Sequence, residues 1–226
     1  MEYILFSKDN YFFQKLKEKL ETNINQSWVF LTEKKYDFIE TKKPAYIKIF
    51  FLHWNYIVPE HIFKNYECIN IHTSNLPEGK GGSPIQNQII DNIKHTRVNA
   101  LKMTNDGLDA GPIYCSKNIS LQGNIFDIWN IITETAYLLI NEIINNNLKP
   151  IEQEKSIEKI YKRRKDNSIP FDEETNIEKI YDFIRMLDSN DYPDPYIIVN
   201  GYKLSFNRAK FNGKNILSDV IIEKFN

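Results

Sequence analysis

Cysteine is nearly absent from this chain. Cys68 and Cys115 are the only two in 226 residues, far apart and in no Cys-x-x-Cys pair. That excludes a disulfide framework and fits reduced thiols in a cytoplasmic protein. Cys68 lies in an apolar stretch, where a small core residue and a nucleophile are both open readings. An excess of one charge is missing too. With 29 Lys and Arg against 30 Asp and Glu, nothing in the balance asks for a nucleic-acid or membrane partner. The start, Met1 to Phe6, has no basic n-region and is too short for a signal segment or a span. Neither Gly-x-Gly-x-x-Gly nor a Walker sequence occurs. There is no internal repeat and no low-complexity linker.

What is present alternates between two periods. Short apolar runs at Tyr3–Phe6, Trp28–Leu31, Tyr46–Leu52 (bounded by Pro44), Cys68–Ile71, Val98–Met103 and Ile113–Ser116 read as strands. Between them, helical spacing marks Tyr11–Leu20, a short segment opened by Pro59, a helix started by Pro84, and the long stretch Asn124–Asn146. Lys35–Glu40 fits a turn of helix or a loop. This alternation predicts an α/β protein: an open, mostly parallel twisted sheet with helices on both faces. The tail differs. After Lys149-Pro150 and a polar stretch comes an amphipathic helix over Asn176–Leu187. Two short strands around Asn200-Gly201 then read as a hairpin with a type I′ turn. The expected division is a catalytic domain over 1–150 and an extension over 151–226.

Two short segments carry chemistry. Asn70 and His72 alternate with Ile71 at the end of a strand, so both project to one side, toward the crevice beyond the sheet. Asp109 sits in the glycine-bearing loop Thr104–Pro112. Amide, imidazole and carboxylate together supply an oxyanion donor, a proton acceptor and an orienting acid, the parts that acyl transfer to an amine needs. Taken singly, each residue could merely cap backbone or make a turn. The remaining histidines, His53, His61 and His95, show no ligand spacing with this set, so no metal is expected. His53 reads as a core or rim residue near the pocket.

In sequence, Ile69–Pro77, then Gly79–Gln86, then Gly107–Pro112, with Phe51–Glu60 upstream, resemble the formyltransferases that use N10-formyltetrahydrofolate. The resemblance is closest to their sugar-nucleotide N-formyltransferase branch. It covers about Tyr46–Ser116 closely and the flanks only by pattern. It implies a Rossmann-like formyltransferase fold with Asn70, His72 and Asp109 as the catalytic residues. The folate would lie against Trp54, Asn55, Tyr56, Ile57, Thr104, Gly107 and Leu108, read largely by backbone; Trp54 and Tyr56 also suit plain core packing. Thr73, Ser74, Lys80, Gly81 and Gly82 would face the acceptor, though a mobile surface loop explains the last three as well. The run Lys162–Lys165 is either a solvated edge or a grip on the acceptor's diphosphate.

The implied acceptor is a nucleotide-linked amino-dideoxyhexose, dTDP-4-amino-4,6-dideoxy-D-glucose or its 3-amino counterpart, destined for O-antigen or another surface glycan. Length and charge weigh against the methionyl-tRNA enzymes. The Trp54 stretch and the helix-plus-hairpin tail weigh against glycinamide ribonucleotide formyltransferase. A formyl-folate hydrolase and a folate- or nucleotide-binding module without turnover stay open. The hairpin suggests a homodimer.

Overall fold

The computed structural model describes residues 2–42, 47–154, 159–172 and 174–225. Pro44 and Tyr46, expected to bound the central strand, lie outside them. The elements run β1 (Glu2–Ser7), α1 (Tyr11–Glu21), β2 (Ser27–Leu31), α2 (Tyr36–Glu40), β3 (Ile47–Leu52), α3 (Glu60–Asn65), β4 (Glu67–Thr73), β5 (Lys80–Gly81), α4 (Pro84–Ile90), β6 (His95–Lys102), β7 (Ile113–Ser120), α5 (Ile125–Asn146), β8 (Ile160–Tyr161), α6 (Ile177–Arg185), β9 (Tyr196–Val199), β10 (Tyr202–Phe211) and β11 (Ile216–Lys224). No helix among the described residues is long and apolar enough to cross a membrane.

The chain forms two compact units, each drawn from several stretches: 1–81, 96–119 and 130–160 in the first, 82–95, 120–129 and 161–226 in the second. The sequence alone suggested one division near 150.

The first unit holds a six-stranded sheet in the order β2-β1-β3-β4-β6-β7. β1 pairs in parallel with β2 and with β3, and β3 in parallel with β4. Every residue of β3 is buried, which is why it reads as an unbroken apolar run rather than an alternating one. On one face Ile4, Phe6, Ile49 and Phe51 pack with Tyr36 and Ile39 of α2 and Ile62 of α3. On the other, α1 sets Phe13 edge-on to Phe30 of β2. Asn10 caps α1 by accepting the Phe13 N–H at 3.0 Å, and Phe12, Phe13, Leu16 and Leu20 form its buried stripe.

β6 departs from the parallel pattern. It runs antiparallel to β4, pairing Lys102 with Ile69 and Val98 with Thr73. Its end therefore lies level with the start of β4, where the Met103 N–H donates to the Cys68 carbonyl.

In the second unit β9, β10 and β11 form an antiparallel sheet in the order β11-β10-β9. Asn200 (φ +49°) and Gly201 (φ +77°) make the β9–β10 turn, the left-handed pair that a type I′ hairpin requires. α6 begins at Asn176, which accepts the Lys179 N–H at 2.8 Å. Between α6 and the sheet lies an open apolar groove of about 360 Å³, lined among others by Phe171, Ile180, Ile184, Ile197, Phe206 and Ile216. Arg185 is buried, donating to Asp182 and to the carbonyls of Leu121 and Gly123.

The sequence reading stopped at a two-stranded hairpin and missed β11. Val220, Ile221 and Ile222 are apolar in succession, so this strand lacks the period-two signature of one buried face.

Replacing the fully buried Phe51 by alanine should cost about 3–5 kcal/mol of unfolding free energy. At Ile24, which is 92 % exposed, alanine should change it by no more than about 0.5 kcal/mol. Urea unfolding of the two variants checks both values.

Candidate active site

The site belongs to the first unit. Asn70 and His72 lie two apart on β4, and Ile71 between them is buried. Asn70 is flanked on one side by Phe51 of β3 and on the other by Leu101 of β6. Its side chain therefore projects from the face of the sheet, not beyond the strand's end as the sequence suggested. The antiparallel course of β6 explains the difference: the loop that follows it starts low on β4 and meets Asn70 over the sheet face.

That loop delivers Asp109. The Lys102 N–H donates to the Pro112 carbonyl at 2.9 Å, closing the loop at its base. Gly111 sits so close to Lys102 that a β-carbon there would lie 1.9 Å from the Lys102 carbonyl oxygen, which only glycine avoids. Asp109 itself has φ +53°, a left-handed conformation that aspartate tolerates better than most residues.

The Asp109 carboxylate is buried and joins the set. Its Oδ1 accepts from Asn70 Nδ2 at 3.0 Å. Oδ2 accepts from the Gly81 N–H at 3.0 Å and lies 3.4 Å from His72 Nδ1. The other ring nitrogen, Nε2, lies 3.2 Å from the Gly79 carbonyl. The Gly79 carbonyl and the Asp109 carboxylate both accept, so a neutral ring donates to one of them and a protonated ring to both. Asn70 Nδ2 has a second N–H left for an incoming oxygen.

Four contributors escaped the sequence reading. Gly79 and Gly81, taken as a loop beside the acceptor, hold His72 and Asp109 through their backbones. Asn99, buried in β6, donates to the Ser74 carbonyl at 2.7 Å and accepts from the Ser116 hydroxyl. It fixes the chain just after His72. A polar residue within the apolar run Val98–Leu101 was its signal. Gln153 donates from Nε2 to the carbonyls of Asp109 and Gly111, each at 2.8 Å; nothing in its polar surroundings marked it.

Among the expected folate-side residues, Trp54 is half-buried. It donates from Nε1 to the Tyr36 hydroxyl at 3.0 Å and packs on Phe6, Phe51 and Tyr56. Asn55, Tyr56, Ile57, Gly107 and Leu108 are exposed and Thr104 is half-buried. Asn105 Nδ2 donates to Glu60 at 2.8 Å, tying the Asp109 loop to the segment after Ile57. Of the acceptor-side set, Thr73, Ser74 and Lys80 are buried. The Gly82 N–H donates to the Tyr161 carbonyl in the second unit. There Lys162, Arg163 and Lys165 are exposed, while Arg164 lies over the Phe183 ring. His53 sits at the end of β3 with φ +53°, its Nδ1 3.4 Å from Asn10 Nδ2.

Neither cysteine suits a nucleophile. Burial pushes the Cys68 thiol far above its ordinary range and that of Cys115 up to about 12. Among the described residues no three His, Cys, Asp or Glu side chains converge as metal ligands do.

Comparison with known proteins finds relatives in both sequence and fold. A family model described as the methionyl-tRNA formyltransferase C-terminal domain matches residues 164–223. A methionyl-tRNA formyltransferase of Ehrlichia ruminantium (strain Gardel) is 28% identical over 170 residues, 73% of this chain and 54% of that protein. The chain spans between about a third and a half of the curated relatives it matches. A solved structure described as a methionyl-tRNA formyltransferase from Clostridium thermocellum superposes with a TM-score of 0.88 at 29% identity, over 99% of this chain and 100% of that one. A sugar N-formyltransferase from Shewanella sp FDAARGOS_354 shares the fold, with a TM-score of 0.66 at 16% identity over 92% of this chain and 97% of that one. In fold and in sequence this chain is similar to the formyltransferases.

Proposed function

We propose that this protein transfers a formyl group from N10-formyltetrahydrofolate to the primary amine of a nucleotide-linked amino-dideoxyhexose. The observation that carries the transfer chemistry is the Asp109 carboxylate joined to Asn70, Gly81 and His72. N10-formyltetrahydrofolate supplies an electrophilic formyl carbon and a nitrogen leaving group. Exposed apolar side chains at Ile57 and Leu108, on segments tied together by Asn105 and Glu60, suit a flat, partly apolar ligand.

His72 takes the proton released as the acceptor nitrogen bonds to the formyl carbon. The resulting imidazolium is held between Asp109 and the Gly79 carbonyl. Asn70 offers its second N–H to the oxygen where negative charge develops. As the bond from carbon to the folate nitrogen breaks, the proton held by His72 returns to that nitrogen. Asp109 keeps the ring oriented throughout.

For the acceptor, the near balance of 29 basic and 30 acidic residues favours a small anionic substrate over tRNA, whose binding draws on many phosphate contacts. Within that class we favour dTDP-4-amino-4,6-dideoxy-D-glucose over the 3-amino sugar, with surface glycan as the product's destination. The curated relatives' names and the match over 164–223 favour a second reading, formylation of methionyl-tRNA.

The C-terminal sheet supports a homodimer. β11 is an edge strand with Val220 and Ile222 exposed on the groove side and Leu217 and Ile221 on the other. A long apolar edge left uncovered invites aggregation, and a second copy would cover it.

Incubation with N10-formyltetrahydrofolate and each acceptor should yield a product heavier by one CO with a dTDP-amino sugar and none with methionyl-tRNA. Formylated methionyl-tRNA alone would establish the second reading. Formate released without any acceptor would point to a hydrolase. Asn70→Ala, His72→Ala and Asp109→Asn should each lower kcat by about 10²-fold or more, with smaller changes in KM. Light scattering should give twice the 26.8 kDa chain mass for the wild type. The double variant Val220→Glu/Ile222→Glu should give a single chain's mass, and a wild type already at that mass refutes the dimer.

A further inference from the structure

We propose that Gln153 is a positioning residue for the Asp109 carboxylate, holding the Asp109–Gly111 turn in the one conformation that brings the carboxylate to His72 and Asn70. The inference rests on the reading of those three residues as the formyl-transfer centre.

Gln153 is delivered by the chain after α5. Ile151, two residues earlier, exchanges N–H···O bonds with Ile113 in both directions, each 2.8 Å. Ile113 opens β7 directly after the Asp109 loop. This bridge sets Gln153 against the turn. Its Nε2 donates to two carbonyls, Asp109 and Gly111, at 2.8 Å each, so both N–H groups of one amide are spent on one turn. Reversing the amide would aim Oε1 at two carbonyl oxygens, so the orientation is fixed by the partners. Oε1 is buried and has no hydrogen-bond partner among the described residues. The side chain is thus held at its donor end alone.

The turn needs holding. Asp109 occupies a left-handed backbone conformation that a free chain visits rarely. Lys102 pins the loop at Gly111 and Pro112. Within the turn the remaining backbone bond, Ala110 N–H to the Gly107 carbonyl, is long at 3.3 Å. Gln153 closes the other side. It touches none of the reacting atoms and acts through Asp109, whose Oδ2 also accepts the Gly81 N–H. Loss of the two donor bonds should therefore be felt at the Gly81 amide, across the site.

Gln153→Met keeps the volume and removes both donors. Gln153→Glu keeps the shape and has one donor only while protonated. In the folded protein two facing carbonyls and burial favour that protonated form, raising the carboxyl pKa above its ordinary value of about 4.3. What the bond contributes in Gln153→Glu is therefore present at low pH and lost as pH rises through the raised value. Expected for Gln153→Met is a fall in kcat of at least about tenfold, with both KM values within about twofold and the protein folded at the assay temperature. Gln153→Glu should lie nearer the wild type at acid pH and diverge as pH rises. In substrate-free protein, hydrogen exchange of the Gly81 amide should speed up at least about tenfold in Gln153→Met while amides of β3 keep their protection.

Unchanged Gly81 exchange overturns the proposal, as does wild-type kcat in Gln153→Met or an effect confined to KM. A wild type inert toward every acceptor defeats the functional reading instead, and the exchange measurement then decides the positioning role by itself.

Discussion

One carboxylate organises the site. Asp109 is buried among groups that would leave an unpartnered charge heavily penalised. It is satisfied by the Asn70 amide and the Gly81 N–H, with the His72 ring beside them. Those contacts draw together a strand, a glycine turn and a loop that share no local sequence. Because an ionised carboxylate accepts and does not donate, it also dictates the roles around it. Asn70 must present its nitrogen to it.

The sheet supplies the platform for that carboxylate. Four parallel strands, β2, β1, β3 and β4, give a rigid base. The antiparallel turn to β6 then sends the loop back over the face of β4. This geometry asks for a residue without a side chain at Gly111 and for a left-handed Asp109. Such local strain is tolerated where surrounding contacts over-determine it. Lys102, the Ile113–Ile151 bridge and Gln153 are those contacts. For the proposed transfer this means that the donors would stand in place before any charge develops, which is where electrostatic catalysis gains most.

The second unit obeys different physics. Its antiparallel sheet covers part of one face with α6 and leaves β11 with apolar side chains on both sides. Buried Arg185, satisfied by Asp182 and two carbonyls, ties α6 to the 121–123 segment. It shows the same rule at work as Asp109: an ionic group enters the interior only with its hydrogen bonds filled.

The sequence by itself determined the strands of the parallel sheet, the stripes of α1 and α6 and the Asn200-Gly201 turn, and it singled out Asn70, His72 and Asp109 as candidates. Each is written in local code: an unbroken apolar run, a helical period, a dipeptide with positive φ, or a short motif. Only the tertiary structure decided that β6 is antiparallel, that β11 exists, and that Gly79, Gly81, Asn99 and Gln153 brace the segments carrying those three candidates. Strand direction depends on how the intervening chain returns, and β11 lacks a period because both its faces are open. Backbone N–H and C=O groups look the same at every position, so their roles at Gly79 and Gly81 leave no mark in the sequence. For Gln153 the two carbonyls it holds lie more than forty residues away, a distance across which no local pattern reaches.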